Sequence, residues 1–197
     1  SFPRLSPAPS AASRSVESRP GLCYNFPMPT DRRIERITDV LSHRQPDLGV
    51  VLEGVTISHN ASAVIRTCDA AGVLYLDLIS PNPDLLMFNE AITTRADKWL
   101  EIGIHSSTAD CLERLKNRGF EIAATTLADD SVPYTEVDYT RPLALVFGCE
   151  SFGITPEAAA LADRKIRIPM VGMVQSLNLS VSVAISLFEA FRQRQAR

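Results

Sequence analysis

The chain has 197 residues and a mass of 21.6 kDa, enough for one ordinary domain and too little for a second full core. Its 45% hydrophobic and 22% charged residues suit a soluble globular protein, and no uncharged apolar run approaches the roughly 18 residues that a membrane helix needs. A net charge of −3 does not advertise a polyanion partner, although most of the basic residues are Arg, the side chain that forks onto phosphates and stacks on bases. The four cysteines, Cys23, Cys68, Cys111 and Cys149, form no CxxC pair. They argue against a zinc ribbon or a disulfide framework, and for reduced thiols in an intracellular, cytoplasmic protein.

Residues 1–27 hold six Ser, five Pro and three Ala with one acid, Glu17, and no apolar periodicity, a composition that buries no core. They read either as an Arg- and Ser-rich leader, which would make the destination organellar, or as sequence ahead of a start at Met28. Residues 28–197 are expected to form a single domain. Within it, Ile34, Ile37 and Leu41 make one face of a helix from Asp31 to Arg44, stopped at Gln45-Pro46. Val50–Leu52 reads as strand, Asn60–Ala71 as a helix closed by Gly72, and Val73–Ile79 as strand. A loop over Ser80–Asn89 and a short helix near Ala91 lead to a strand at Leu100–Ile104 and a helix from Ser107 to Arg118, stopped by Gly119. Phe120–Thr126, Leu143–Phe147 and Lys165–Ile168 are further strands. Thr155-Pro156-Glu157 opens a helix with a capping residue and Pro at its first position. The last helix sets Leu179, Val183, Leu187 and Phe191 on one side, with Arg192 and Arg194 near its end. This alternation predicts an α/β fold, a mostly parallel sheet with helices on both faces, and such folds bind ligands beyond the carboxyl ends of their strands. Neither GxGxxG after the first strand nor GxxxxGK[ST] occurs, so a standard dinucleotide fold and a P-loop are both unsupported.

Three loops carry unusual polar content. In His59-Asn60-Ala61-Ser62-Ala63-Val64-Ile65-Arg66-Thr67, Asn60 is placed to cap a helix or to face a ligand. Arg66 interrupts a small, apolar face, where it either pairs with Asp69 or Glu53 or grips a phosphate. Phe147-Gly148-Cys149-Glu150-Ser151-Phe152-Gly153-Ile154 follows an apolar strand directly; its glycines permit a tight loop, and Glu150 binds a ligand donor or is merely solvated. Ile168–Ser180 runs from a strand through Pro169, Met170, Gly172 and Met173 into Gln175-Ser176-Leu177-Asn178. Ser176 or Asn178 is able to cap the last helix, but the four hydrogen-bonding residues Gln175, Ser176, Asn178 and Ser180 exceed what one cap uses.

In this order the three loops resemble the three motifs of the SPOUT superfamily of methyltransferases. Arg44-Gln45-Pro46-Asp47-Leu48, Glu136–Pro142 and the string Gly172-Met173-Val174-Gln175-Ser176-Leu177-Asn178 narrow the resemblance, over about Asp31 to Arg194, to the tRNA guanosine-18 ribose 2′-O-methyltransferase family. The resemblance implies a carboxyl-terminal part threaded as a deep trefoil knot, which chain pattern alone would exclude as a rarity. It implies S-adenosylmethionine (S-adenosyl-L-methionine) held in the knot loops with Thr125, Gly148, Ile168 and Leu177 at contact positions, tRNA as substrate, and no metal or membrane partner. It also implies a homodimer in which Arg66 of one subunit completes the site of the other. Arg66, Asn60, Glu150, Ser176 and Asn178 are then the catalytic set. The family's proton-acceptor role for Arg66 sits poorly with a guanidinium that keeps its proton, so the expected role is a grip on the phosphate beside the target ribose. Arg32, Arg33, Arg44, His59, Arg192 and Arg194 are weaker candidates for RNA contact, and neither His43 nor His105 has an expected partner. Two alternatives share the motifs. A ribosomal RNA ribose methyltransferase would usually add a recognition domain ahead of the catalytic one. A catalytically silent RNA-binding protein on the same fold is opposed by the joint presence of the five catalytic candidates.

Overall fold

The computed structural model of the chain describes residues 30–54, 59–81 and 96–196. The leader-like stretch, most of the loop after Ser80 and the short helix near Ala91 lie outside them. Helix α1 (Asp31–Ser42) stops two residues before the expected Arg44, because the chain from Gln45 is drawn into the sheet. Strand β1 (Gln45–Glu53) is much longer than its apolar centre: Gln45 pairs with Val73 and Leu48 with Leu143, and Pro46 is accommodated in the irregular register between Gln45 and Gly49. Next come α2 (His59–Ala70) and β2 (Val73–Ile79). Between them Gly72 has φ +76° and approaches so closely that a Cβ would lie 2.6 Å from His43 O, which only glycine allows.

A 3₁₀ turn (Ala96–Trp99) precedes β3 (Glu101–His105) and α3 (Thr108–Asn117), where Ser107, expected as the first helical residue, instead caps the helix, its Oγ accepting from Asp110 N at 3.2 Å. The remaining elements are β4 (Glu121–Thr125), β5 (Val132–Pro133), β6 (Leu143–Phe147), α4 (Pro156–Leu161), β7 (Arg164–Arg167) and α5 (Leu179–Gln195). Strand β5, two residues long, is too short to show any period and was not expected. Thr155 caps α4 by accepting from Ala158 N, and Pro156 is its first residue, as expected. Among the described residues no helix is long and apolar enough to cross a membrane.

Among the described residues seven strands pair in parallel, in the order β3-β2-β1-β6-β4-β7-β5. Helices cover both faces. On one, Val64, Ile65 and Cys68 of α2 and Leu179, Val183 and Leu187 of α5 pack over Leu48, Val50 and Leu52. On the other, Cys111, Leu112 and Leu115 of α3 and Ala158 of α4 meet Val51, Ile122 and Val146. Leu143–Phe147 is buried throughout because the central strand has helices on both sides, the environment that a continuous apolar run requires. In α5 the buried stripe passes through Ala190 to Arg194, and Phe191 is only half-buried. Arg194 ties the helix end to β1: Nη1 donates to Asp47 Oδ1 at 2.5 Å, Nε to Tyr139 O at 2.7 Å, and Nη2 to Arg141 O at 3.0 Å.

Candidate active site

In the order β6-β4-β7, three strands end side by side at Phe147, Thr125 and Arg167. Beyond them opens a cavity of about 710 Å³, walled by residues 125–128, the Phe147–Ile154 loop, the chain after β7 and the start of α5. Thr125, Gly148, Ile168 and Leu177, the expected cofactor contacts, all line it, and so do Glu150, Ser176 and Asn178. The loop after β6 is narrow by construction. Gly148 packs so tightly on Gly153 and Ile154 that a Cβ there would overlap their main chain, Gly153 turns with φ +71°, and Gly153 N donates to Cys149 O at 2.9 Å.

At the rim, residues from three distant stretches converge. Glu150 Oε1 accepts from Asn60 Nδ2 at 2.7 Å and from Asn178 Nδ2 at 3.0 Å, and Asn178 Nδ2 also lies 3.0 Å from Asn60 Oδ1. Asn178 caps α5, its Oδ1 accepting from Ser180 N at 2.9 Å, and its amide nitrogen at the same time bonds to Asn60 and Glu150. Asn60 lies in the first turn of α2 and turns its side chain to the other two motifs. Glu150 is exposed and has no ion pair among the described residues, where two neutral amides meet its charge.

Arg66 stands apart from this cluster. Six residues after Asn60 on α2, it is rotated roughly 240° around the helix axis, is exposed, and does not line the cavity. Both partners expected of a structural ion pair are taken. Asp69 accepts from Arg44 Nη2 at 2.5 Å, and Glu53 accepts from Thr108 and Thr155. Among the described residues the Arg66 guanidinium makes no ion pair or hydrogen bond.

The weaker RNA candidates divide sharply. Arg32 and Arg33 are exposed on α1, which buries none of its residues, and neither is ion-paired among the described residues. Arg192 is exposed but held by Glu189 through two hydrogen bonds, at 2.8 and 2.7 Å, which keep that carboxyl below the usual carboxylate range. Arg44 and Arg194 present no free guanidinium: Arg44 is buried against Asp69 and Val73 O, and Arg194 is the anchor of α5. For these two the structure supplies a packing role where RNA contact was expected. The side chain of His59 lies outside the described residues.

Two clusters escaped the sequence reading. Glu53, 3% exposed, accepts three hydrogen bonds, from Thr155 N and from the hydroxyls of Thr155 and Thr108. Asp77 Oδ1 lies 2.7 Å from both His105 Nε2 and Arg114 Nη2, in a space kept open by Gly103, whose Cβ would overlap the carboxylate. His105 thus has a partner after all, and His43 Nδ1 meets Asp39 O at 2.7 Å. Cys111 completes a group with metal-ligand chemistry, yet the Arg114 guanidinium already supplies the cation beside Asp77. Burial first, then the Asp77 carboxylate, push the Cys111 thiol up to about 12. The signal that could have found Glu53 is a lone carboxylate closing an apolar strand; no local signal pairs Asp77 with residues 28 and 37 positions away.

Fold and site together define a parallel α/β protein with a ligand cavity at its strand ends, rimmed by an amide–carboxylate cluster. Residues 47–188 match the SpoU rRNA Methylase family, and the chain belongs to that family. It is 49% identical over 165 residues, 84% of either chain, to the tRNA (guanosine(18)-2'-O)-methyltransferase of Thermus thermophilus. The crystal structure of the A. aeolicus TrmH/SpoU tRNA modifying enzyme is similar with a TM-score of 0.79 and 47% identity, covering 84% of both chains. An AdoMet-bound rRNA methyltransferase from Sinorhizobium meliloti is similar with a TM-score of 0.66 and 29% identity, over 83% of this chain and 70% of that one.

Proposed function

We propose that the chain transfers a methyl group from S-adenosylmethionine to a ribose 2′-hydroxyl of tRNA, at guanosine 18, and that it works as a homodimer. The observation that carries this reading is the meeting of Asn60, Glu150 and Asn178 at the mouth of the cavity. The residues present fit the cofactor. The cavity falls within the roughly 300–1,000 Å³ of small-molecule sites, Gly148, Ile168 and Leu177 offer main-chain groups and apolar surface, and a carboxylate with no cation beside it among the described residues suits a positively charged ligand. When bound, S-adenosylmethionine supplies a methyl carbon made electrophilic by its sulfonium.

The protein's own work is alignment. An in-line displacement would need the ribose hydroxyl close to and straight behind the donor carbon, with its proton leaving to water at the open rim as the carbon–sulfur bond gives way, so holding the ribose there lowers the barrier. Asn60 and Asn178 fix Glu150, and with Ser176 they shape the place where ribose meets methyl donor. Arg66 grips the phosphate beside that ribose, since a guanidinium is a strong bidentate phosphate ligand and a poor proton acceptor. Because Arg66 faces away from the cavity of its own subunit, it serves the site of a second copy. Exposed Val181 and Phe188 on α5, with Val171, Met173 and Val174 before it, offer apolar surface for that copy. The reading includes a trefoil knot, supported by the way residues 168–178 return to line the same cavity as the loops after β4 and β6.

Labelled methyl donor, unmodified tRNA and ribosomal RNA test the reading, with the product mapped nucleotide by nucleotide. A 2′-O-methyl at guanosine 18 is expected; label found in ribosomal RNA alone, or in neither RNA, overturns it.

A further inference from the structure

Glu53 closes β1 as a carboxylate almost wholly withdrawn from water, and no cation pairs with it among the described residues. Such a group needs hydrogen bonds in place of its hydration. It has three. Oε2 accepts from Thr155 N at 2.7 Å, while Oε1 accepts from Thr155 Oγ1 at 2.7 Å and from Thr108 Oγ1 at 2.6 Å. The two threonines belong to different parts of the molecule. Thr108 opens α3, whereas Thr155 is where the Gly148–Ile154 loop ends and α4 begins.

That loop leaves the sheet at Phe147, which pairs with Leu52, and comes back to Glu53, the next residue on the same neighbouring strand. Both its ends are therefore tied to adjacent positions of β1. Its departing end is fixed by the strand ladder and by the tight packing of Gly148 on Gly153 and Ile154. Its returning end is fixed by Glu53. From the loop between them hangs Glu150, and Gly148, Cys149 and Gly153 form a wall of the cavity.

We propose that Glu53 is the positioning residue of this loop: through Thr155 it holds Gly148–Ile154 in the shape that receives the methyl donor, touching neither donor nor RNA itself. The inference rests on the cavity being the S-adenosylmethionine site. A loop released at Thr155 spends part of its time in other shapes, so apparent donor affinity falls by the fraction lost, and saturating donor restores the rate.

The experiment compares wild type with Thr155→Val, Thr155→Ser, Thr108→Val and Glu53→Gln. It measures Kd for S-adenosylmethionine by calorimetry, Tm, and kcat and KM for both substrates. Thr155→Val is expected to raise donor Kd and KM about tenfold with kcat within about twofold, as a population shift requires. Thr155→Ser keeps the hydroxyl and restores both. Glu53→Gln still accepts from Thr155 N and donates to the hydroxyls, so it stays within about threefold of wild type. Thr108→Val removes the α3 bond from the same carboxylate, lowering Tm while leaving donor Kd alone. Donor affinity that is unchanged in Thr155→Val, or that moves equally in Thr108→Val, shows a carboxylate that only staples helices and overturns the inference. A wild type that ignores S-adenosylmethionine overturns the cofactor reading, and this inference with it.

Discussion

Two polar clusters lie toward the carboxyl ends of the strands, and they handle charge in opposite ways. Around Asp77 everything is closed: the carboxylate is buried, a guanidinium and an imidazole sit within hydrogen-bonding distance of one oxygen, and a glycine makes the room. Around Glu150 the carboxylate meets two neutral amides and solvent, at the lip of a cavity. The first cluster spends its charge on itself and holds β2, β3 and α3 together. Among the described residues no cation answers the charge of the second, which is what a site for a cationic ligand needs. The same distinction separates the arginines. Arg44 and Arg194 each bind a carboxylate and main-chain carbonyls, while Arg66, Arg32 and Arg33 have free guanidinium groups among the described residues. Residue type therefore says less about function than whether the group's hydrogen-bonding capacity is already filled.

The sharpest way to break that comparison is to remove a free guanidinium and a filled one. Arg66→Ala is expected to lower methyl transfer by about 100-fold or more, the usual cost of a lost charged contact to the reacting group, with Tm and S-adenosylmethionine affinity unchanged. Arg44→Ala should instead lower Tm, because Asp69 and two carbonyls lose their partner. Retained turnover in Arg66→Ala would end its assignment to the site. Next in size is Glu150→Ala. It strips the acceptor from both amides, and turnover should fall about tenfold to hundredfold for the loss of hydrogen bonds to a charged group. Because the cluster is exposed, Tm should hardly move.

The mirror experiment is Asp77→Asn in the closed cluster. It should cost about 1–3 kcal/mol of stability, the lower end being set by the half-exposed Arg114 whose attraction water screens. Chemical denaturation reads this directly, and turnover per folded molecule should match wild type. Loss of turnover without loss of stability would place Asp77 with Glu150 after all.

How much of this was legible depended on whether the cause was local. Val73–Ile79 and Leu143–Phe147 were read to the residue, because apolar runs bounded by glycine or proline carry their own limits. Thr155 and Asn178 cap their helices as their positions promised, whereas Ser107, read as the start of a helix, proves to be its cap. The length of β1 was not legible: pairing with β2 and β6 pulls Pro46, an apparent stop, into a strand. Asn60, Glu150 and Asn178 could be singled out because each lies in a contiguous string of unusual polar content, but their meeting could not be read as a geometry. That Asn60 and Asn178 share one oxygen of Glu150 follows only from folding together residues 28 to 118 positions apart, whereas the turn of Arg66 away from Asn60 is set by the helical period alone. Glu53, Arg44 and Arg194 were invisible as anchors for the same reason, each bonding to groups distant in the chain.

The mildest test sharpens the comparison through pH. Burial and the Asp77 carboxylate push the Cys111 thiol up to about 12, against roughly 8.5 for an exposed cysteine. Between those values an unfolded chain has lost the proton that the folded chain still holds. The unfolded state then binds fewer protons, so stability falls as pH rises; it is fully present below about pH 8.5 and declines toward pH 12, by at most about 1.4 kcal/mol per pH unit for each thiol. Cys68, raised by burial and then by the Asp69 carboxylate, acts in the same direction. Urea midpoints should be level from pH 7 to 8 and fall from pH 9 to 10.5. Cys111→Ala should make that fall shallower, and Asp77→Asn should do so less, since it removes the carboxylate but not the burial. Glu150→Ala should leave the slope as it is, because nothing in the open cluster touches the thiol. A slope indifferent to Cys111→Ala would mean that the closed cluster opens to water, and the contrast between the two would lose its physical basis.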